Sequence, residues 1–206
     1  MTNQLILLPI LTQAVIAVIL LFCWGRVGIQ KVITILGSTV NLVFTIWLFS
    51  SVWQNGMASV QAGNWQAPFG ITFVADTLSA TLVLLTAISG LAVSIYSTAT
   101  IIPSRIKFGF LPILHFLLMG LCGAFLTGDI FNLYVWFEII IISSFVLITL
   151  GSEKQQLEVA VKYFALNMLA SIIFLTALGI LYGLFGTLNM ADLSQRIAQV
   201  ENRSLV

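Results

Sequence analysis

Charged residues are scarce in this chain of 206 residues, where Asp, Glu, Lys and Arg make up 7% and hydrophobic residues make up 60%. An average soluble domain is about 25% charged, so this composition excludes an ordinary soluble fold. The net charge is only +1, which excludes the strongly basic surface that binds nucleic acid. The composition therefore predicts a protein that lies in a lipid bilayer and does not bind nucleic acid.

Cysteine and histidine, which commonly ligate metals and haem, are also scarce. Cys23 and Cys122 lie inside apolar runs, where a free cysteine behaves as a small hydrophobic residue. Two such residues form neither a disulfide framework nor a metal site. The single His115 cannot supply both axial ligands of a membrane b-type haem. The sequence also lacks a nucleotide-binding loop, so we predict no cofactor, no metal and no enzymatic chemistry.

Long apolar runs dominate the sequence. They recur at about 20 residues each, the length that crosses the roughly 30 Å hydrocarbon core as a helix, and the alternating pattern of a membrane barrel is absent. We predict an all-α, polytopic fold with a single transmembrane domain over residues 1–206 and six transmembrane helices: 5–24, 32–53, 71–96, 108–127, 130–150 and 159–185. No basic residue precedes the first run and no small-residue cleavage site follows it, which argues against a removable signal peptide.

The loops predict the orientation of these spans. Basic residues fall in the loops after the first, third and fifth spans: Arg26, Lys31, Arg105, Lys107 and Lys154. The loop after the second span, residues 54–70, has no charge. Because basic residues mark the cytoplasmic side of a membrane protein, we expect the N-terminus to lie outside.

Two segments between and after the spans have their own patterns. Residues 54–70 are rich in glycine and contain a proline, which predicts a turn or hairpin at the outer surface. In residues 187–203, apolar and polar side chains alternate at near-helical spacing. This pattern is typical of an amphipathic helix lying on the membrane surface, with Asn189 or Asp192 as its N-cap.

Glu138 is the most unusual residue of the spans, because it lies near the centre of the fifth. It is about 12 and 18 Å from the two ends of that helix at 1.5 Å per residue, and an ionised group at such depth costs at least about 3 kcal/mol. One interpretation is a neutral acid hydrogen-bonded to a neighbouring helix. We favour a carboxylate that binds and releases protons, with Ser143 and Ser144 either extending a water path or allowing close helix packing.

Other ionisable residues lie at different predicted depths. Because the fifth and sixth helices are antiparallel, residues 170 and 171 of the sixth are expected at the level of Glu138. Lys162 is therefore about 12 Å nearer the cytoplasm than Glu138, which is too far for a direct salt bridge, so it either extends to the inner surface or relays protons through water. His115 lies at a similar depth, where a packing role is favoured over a relay. Asp76 and Asp129 lie at the outer ends of their spans and are candidate accessory residues. Asp76 is either an outer-side proton or ion contact or an interfacial carboxylate without a function, and Asp129 is a predicted helix N-cap. Ionisable groups at successive depths are what a proton or cation path requires.

Four segments resemble one family of membrane proteins. "GDIFNLYVWFEIIIISSFVLI", "VKYFALNMLAS", "GTLNMADL" and "GNWQAPFGITFVADTLSA" are similar to the N-terminal portion of the D-type subunits of multisubunit Mrp-type sodium/proton antiporters. That family belongs to the superfamily of complex I antiporter-like subunits. The resemblance implies that Glu138 is an essential buried glutamate, Lys162 the lysine of the sixth helix and Asp76 an acidic position of the third.

The resemblance also implies partners. Members of the family continue into a broken seventh helix, whose lysine pairs with the buried glutamate, and then into a second, inverted repeat. This sequence stops at Val206, so we expect an incomplete first repeat that begins at the fourth span. Either the sequence is truncated or a separate polypeptide supplies the remainder. The expected partners are therefore the other membrane subunits of the complex, the lipid bilayer, H⁺ and Na⁺.

The sequence thus predicts a non-enzymatic subunit of a cation/proton antiporter in the cell membrane, with Glu138 and Lys162 transferring protons. Two alternatives remain open. One is a proton-pumping membrane subunit of a complex I-like NADH-quinone oxidoreductase or a membrane hydrogenase. The other is a structural membrane subunit that does not transport.

Overall fold

The structure, a computed structural model, describes residues 2–65, 70–151 and 153–199. Within these ranges the chain forms eight α-helices and one antiparallel pair of strands. The helices are α1 (Leu8–Phe22), α2 (Val27–Asn55), α3 (Thr77–Thr100), α4 (Pro103–Lys107), α5 (Phe110–Leu126), α6 (Ile130–Thr149), α7 (Lys154–Phe185) and α8 (Met190–Ala198). The strands are β1 (Ala58–Gln61) and β2 (Thr72–Ala75).

Six of these helices are apolar enough to span a bilayer. Five reach the length of a span outright: Leu5–Phe22, which adds a 3₁₀ turn to α1, and helices α2, α3, α6 and α7. The sixth, α5, has 17 residues, which cover about 26 Å and lie at the short end of the range for a transmembrane helix. The predicted multi-pass helical fold is confirmed, while the outward N-terminus stays a prediction.

The third span differs from its predicted start at Ile71. Residues 72–75 instead pair with residues 58–61, with Ala58 opposite Ala75 and Gln61 opposite Thr72, so the hairpin expected after the second span is confirmed. Residues 66–69, also in that segment, lie outside the described residues. Helix α3 begins only at Thr77, because the Asp76 side chain accepts the Ser79 amide hydrogen bond at 2.7 Å and stops the strand there.

Other predicted boundaries are shifted by polar residues that the helices accommodate. Helix α2 begins at Val27 rather than residue 32, because the Gln30 amide is satisfied by the carbonyl oxygens of Leu20 and Cys23 at 3.3 and 3.1 Å. Helix α7 begins at Lys154 rather than residue 159, since its polar first turns extend past the apolar run. Helix α8 covers 190–198 of the predicted 187–203, and residues 200–203 lie outside the described residues.

Helices α1, α2, α3 and α5 form a closed four-helix bundle. Helix α1 packs on α2 and α5, α2 packs on α3, and α3 packs on α5. Helix α6 packs on the outside of this bundle against α5, and α7 packs mainly on α6. Only Ala160 and Leu178 of α7 are buried, so α7 lies at the edge of the described structure.

Two glycines bring α5 and α6 close together. A Cβ on Gly123 would overlap the indole ring of Trp136, and one on Gly120 would lie 2.8 Å from Ile140 Cγ1. Such a contact is closer than packed carbon atoms tolerate. The absence of a side chain at both positions therefore lets the Trp136 ring lie directly against the α5 backbone.

The hairpin and two turns form a polar layer at one end of the helices. The Gly128 amide donates to the Thr72 carbonyl at 2.8 Å, and the Met190 amide donates to the Gly128 carbonyl at 2.9 Å. Asn189 accepts hydrogen bonds from the first turn of α8 and donates to the Thr72 hydroxyl at 3.0 Å. Asn189 is therefore the N-cap of α8, and it fixes that helix to the hairpin.

Candidate functional site

Helix α6 packs against α5 on one face and against α7 on another. It begins at Ile130 because the Asp129 side chain accepts the Asn132 amide hydrogen bond at 2.9 Å, which confirms the predicted cap. Trp136 lies on the face that packs against α5. Glu138 follows two residues later, about 200° around the helix, so its side chain lies on the α7 side of α6.

Glu138 is hydrogen-bonded across the α6–α7 contact. The Ser171 hydroxyl of α7 donates to Glu138 Oε1, and the Tyr134 hydroxyl lies 3.2 Å from Ser171 Oγ. The depth estimate from sequence put residues 170 and 171 level with Glu138, and this contact confirms it. A carboxyl group and two hydroxyl groups therefore form a continuous hydrogen-bonded chain between the two helices.

Aromatic rings surround one side of this chain. The ring centroids of Tyr134 and Phe174 are 6.0 Å apart, and those of Phe137 and Phe174 are 6.4 Å apart. Glu138 itself is half-buried and forms no salt bridge with any residue that the structure describes. Beside apolar rings and without a cation, the ionised form of a carboxyl group is costly.

Lys162 pairs with a residue that the sequence analysis did not single out. Its Nζ lies 2.9 Å from Glu158 Oε1 one turn earlier on α7, and the two side chains are 71% and 65% exposed. Lys162 precedes Ser171 by nine residues, about 14 Å along the helix. Lys162 therefore makes no direct contact with Glu138, as the depth estimate predicted. The i, i+4 spacing of Glu158 and Lys162 was the sequence signal for this pair.

Ser143 and Ser144 are not brought to Glu138. Ser143 lies five residues further along α6, about 140° around the helix, and it is 5% exposed on the side where Trp136 packs against α5. Ser144 lies about 120° in the other direction. The hydroxyl groups next to Glu138 belong instead to Tyr134 and Ser171.

His115 lies in the four-helix bundle, away from the α6–α7 contact. It is fully buried on α5, and its Nδ1 lies 2.6 Å from Oε1 of Gln13 on α1. This hydrogen bond agrees with the packing role that the sequence favoured. His115 and Lys162, which the sequence placed at a similar depth on different spans, have different partners, Gln13 and Glu158.

Asp76 and Asp129 lie in the polar layer at the end of the helices. The Ser79 backbone amide holds the pKa of Asp76 below its usual range, because a hydrogen bond to the ionised form favours it. Burial raises the pKa of Asp129 although the Asn132 amide opposes this effect. Asp76 also lines a cavity of about 530 Å³ between the hairpin and Asn189, so its carboxylate places a negative charge at the cavity wall.

Sequence comparison connects this arrangement to known membrane proteins. A family model described as NADH:quinone oxidoreductase/Mrp antiporter, TM, matches residues 127–206, which include α6 and α7. The D-type subunit of a Na(+)/H(+) antiporter of Alkalihalophilus pseudofirmus is 40% identical over 204 residues. The match covers 99% of this chain and 41% of that relative, so the chain spans about two fifths of its length.

Two solved structures share the fold. The membrane-bound sulfane sulfur reductase, an archaeal respiratory membrane complex, contains a chain with a TM-score of 0.89 and 26% identity, covering 99% of this chain and 42% of that one. The Mrp complex from Dietzia sp. DQ12-45-1b contains one with a TM-score of 0.79 and 22% identity, covering 96% and 38%. The arrangement of helices described above is thus found in complexes of both kinds.

Proposed function

We propose that the chain is a member of the NADH:quinone oxidoreductase/Mrp antiporter membrane family, whose model matches residues 127–206, and that it acts within a multisubunit Na⁺/H⁺ antiporter, as the name of a 40% identical relative indicates. In this proposal Glu138 binds and releases the transported proton. The observation that carries it is the position of the Glu138 carboxyl group between two transmembrane helices, where it is hydrogen-bonded to Ser171 and lacks a paired cation among the described residues.

The chemistry follows from the surroundings of that carboxyl group. Glu138 is half-buried between two helices, where an unpaired charge is costly. A positive group brought close by the rest of the assembly favours the ionised form and drives proton release. Ser171 and Tyr134 form the adjoining hydrogen-bonded chain, along which the released proton leaves. Moving a cation away from Glu138 would therefore allow it to bind a proton, and moving the cation towards Glu138 would release that proton.

We assign Lys162 and Glu158 to the entrance of this path. Both side chains are largely exposed, and Lys162 Nζ lies 2.9 Å from Glu158 Oε1. The distance of about 14 Å between Lys162 and Ser171 along α7 requires water to complete the connection. Lys162 then acts as a relay at the end of α7 rather than as the cation that pairs with Glu138.

The membrane partners follow from the same proposal. The cation that Glu138 lacks among the described residues would come from other membrane subunits or from further chain. The match to the antiporter relative covers only 41% of that relative, which agrees with this proposal. The exchanged ion is Na⁺, by analogy with the name of that relative. A proton-pumping role in a respiratory complex has support from the fold, given the TM-score of 0.89 to a respiratory complex chain, whereas the 40% identity favours the antiporter.

Ser171→Ala tests the assignment of the Glu138 contact. A hydrogen bond to a charged group is worth about 1.5–3 kcal/mol, so we expect Na⁺-driven proton movement in everted vesicles to fall about tenfold or more at neutral pH. The pH profile of the activity should differ from that of the wild type, because Ser171 hydrogen-bonds to the group proposed to carry the proton. Ser171→Thr, which keeps the hydroxyl group, should restore much of the activity.

The matched control is Thr176→Ala on the same helix. The Thr176 hydroxyl donates to the Ile172 carbonyl oxygen of its own helix at 2.8 Å and is exposed, so its loss removes a hydroxyl group without touching Glu138. Equal activity and equal pH profiles in Ser171→Ala and Thr176→Ala, at equal assembly, would contradict the assigned contact.

A further inference from the structure

A seam of polar residues runs along the buried face of α2. Its members are at most 1% exposed and recur every three or four residues, on the face that points into the four-helix bundle: Gln30, Thr34, Ser38, Asn41 and Thr45. Leu48 and Val52 continue the same face as apolar residues. Transmembrane helices do pack through Ser, Thr, Asn and Gln side chains that hydrogen-bond within the protein, so the seam needs a further explanation where such partners are missing.

Side chains from the other three helices meet this seam at the middle of the bundle. The Oγ atoms of Ser38 on α2 and Ser94 on α3 lie 2.9 Å apart. Gly37 of α2 packs against Ile16 of α1, and because these helices are antiparallel, Asn41 lies at the level of Gln13. Gln13 in turn contacts His115 of α5. Four helices therefore contribute buried polar groups to one layer.

Several atoms in this layer have no hydrogen-bond partner among the described residues. They are both amide atoms of Asn41, Oδ1 and Nδ2, the hydroxyl oxygen of Thr34, and Nε2 of His115. Asn41 is 1% exposed, and Thr34 and His115 are 0% exposed. Each buried polar group without a partner costs about 1–3 kcal/mol, so a small polar ligand that satisfies these atoms would stabilise the layer.

We propose that the four-helix bundle encloses a water-binding site centred on Asn41 and His115. The ligand must accept a hydrogen bond from Asn41 Nδ2 and also donate to Asn41 Oδ1, and water does both. The His115 Nδ1 atom, facing the Gln13 oxygen, carries the donated proton, which leaves Nε2 as an acceptor for water in the neutral ring. Water then connects Asn41 to Thr34, about 10 Å away along α2.

A metal cation fits this site less well than water. A cation would satisfy the Asn41 oxygen but would leave the amide nitrogen without an acceptor. No carboxylate of the described residues lies in the layer: the closest along α3, Asp76, is eighteen residues from Ser94, about 27 Å. A cation would therefore have no compensating charge in a low-dielectric interior.

The site is bounded on one side by apolar residues and is separate from Glu138. The buried residues Leu48 and Val52 of α2 lie beyond its polar groups on that side. Glu138 lies outside the bundle, at the contact of α6 with α7. The proposed site is thus a buried layer built from neutral groups, in which the single histidine of the chain would be in contact with water.

Solid-state NMR of the full chain in lipid bilayers tests this proposal, because the sequence contains one histidine and two cysteines. Histidine and cysteine are labelled with ¹⁵N, and the transfer of magnetisation from water protons is measured at His115, Cys23 and Cys122. Cys23, near the end of α1, is the hydrated reference, and Cys122, which is 0% exposed on α5, is the buried reference. We expect transfer to the His115 ring to be several times faster than transfer to Cys122 and to approach that of Cys23.

Asn41→Leu provides the matched variant. Leucine has the same branched shape as asparagine but no polar side-chain atoms, so it should slow transfer to His115 towards the rate at Cys122 and leave Cys23 unchanged. In the wild-type chain, transfer to His115 no faster than to Cys122 would overturn the proposal, whether or not the variant folds. Unchanged transfer to His115 in a folded Asn41→Leu variant would overturn the assignment of Asn41 to the site.

Discussion

Replacing Glu138 with glutamine in the assembled complex is expected to abolish Na⁺-driven proton movement while leaving assembly close to wild type. Glutamine keeps the volume of the side chain and still accepts the hydrogen bond from Ser171, but it cannot bind and release a proton. Removing an ionisable group from this site costs little stability, because its desolvation penalty disappears. The measurement is proton uptake by everted vesicles, normalised to the amount of assembled complex.

Two further variants separate a proton carrier from a structural residue. Glu153→Gln changes a carboxylate that is 71% exposed, so it should retain nearly full activity. Glu138→Asp keeps the acid but withdraws it from Ser171 by one methylene, so it should retain partial activity with a shifted pH optimum. A structural role for Glu138 predicts the reverse pattern for Glu138→Gln, with impaired assembly and full activity in the complexes that form.

Gly123→Val is expected to prevent most of the chain from reaching its folded state. The added side chain would occupy the space of the Trp136 indole ring, and that ring is fixed between α5 and α6. Overpacking a well-packed core typically costs about 1–3 kcal/mol and sometimes more. We expect a lower melting temperature in mild detergent and less folded protein in the membrane.

Gly179→Val on α7 is the control for this variant. Both glycines lie inside helices, so the change in helix propensity is the same, but a Cβ on Gly179 has nothing within 4 Å. The isolated chain carrying Gly179→Val should melt near the wild-type temperature. If the two variants melt alike, the close approach of α5 and α6 at Gly123 does not stabilise the fold.

The parts of the fold that sequence predicted are those set by local chemistry. Apolar runs predicted the spans because a helix must cross a fixed thickness of hydrocarbon. Glycine in an uncharged loop predicted the hairpin, and Asp129 before an apolar run predicted a helix cap. The start of the third span at Ile71 was wrong because the apolar residues of β2 resemble a helix in composition, and only their pairing with β1 distinguishes them.

The candidate site was predicted in part. Glu138 stands out from its sequence alone, and helix geometry placed residue 171 beside it. That Ser171 and Tyr134 are its partners depends on how α6 and α7 face each other, which a single sequence does not determine. The different partners of His115 and Lys162 could not be predicted for the same reason. A sequence indicates the depth of a residue in the membrane, but it does not indicate which helix lies beside it.

The polar seam of α2 was missed for a different reason. Its five polar residues are separated by apolar residues, so the most apolar 18-residue stretch of the helix still has a mean hydropathy of 2.0. The sequence of α2 therefore resembles that of an ordinary transmembrane helix. The spacing of Thr34, Ser38, Asn41 and Thr45 follows one face of a helix. That periodicity was the available signal, and it indicates a buried polar layer only once the other helices are known.

Protonation of Glu138 during ion exchange is measured most directly by infrared difference spectroscopy on the assembled complex, with ¹³C-labelled glutamate in this chain. The carbonyl stretch of a protonated carboxyl group is compared with and without Na⁺ at constant pH. We predict a label-sensitive band that changes with Na⁺ in the wild-type complex and is absent from Glu138→Gln. A band that does not respond to Na⁺, or one that persists in Glu138→Gln, would contradict the role of Glu138 as the proton carrier.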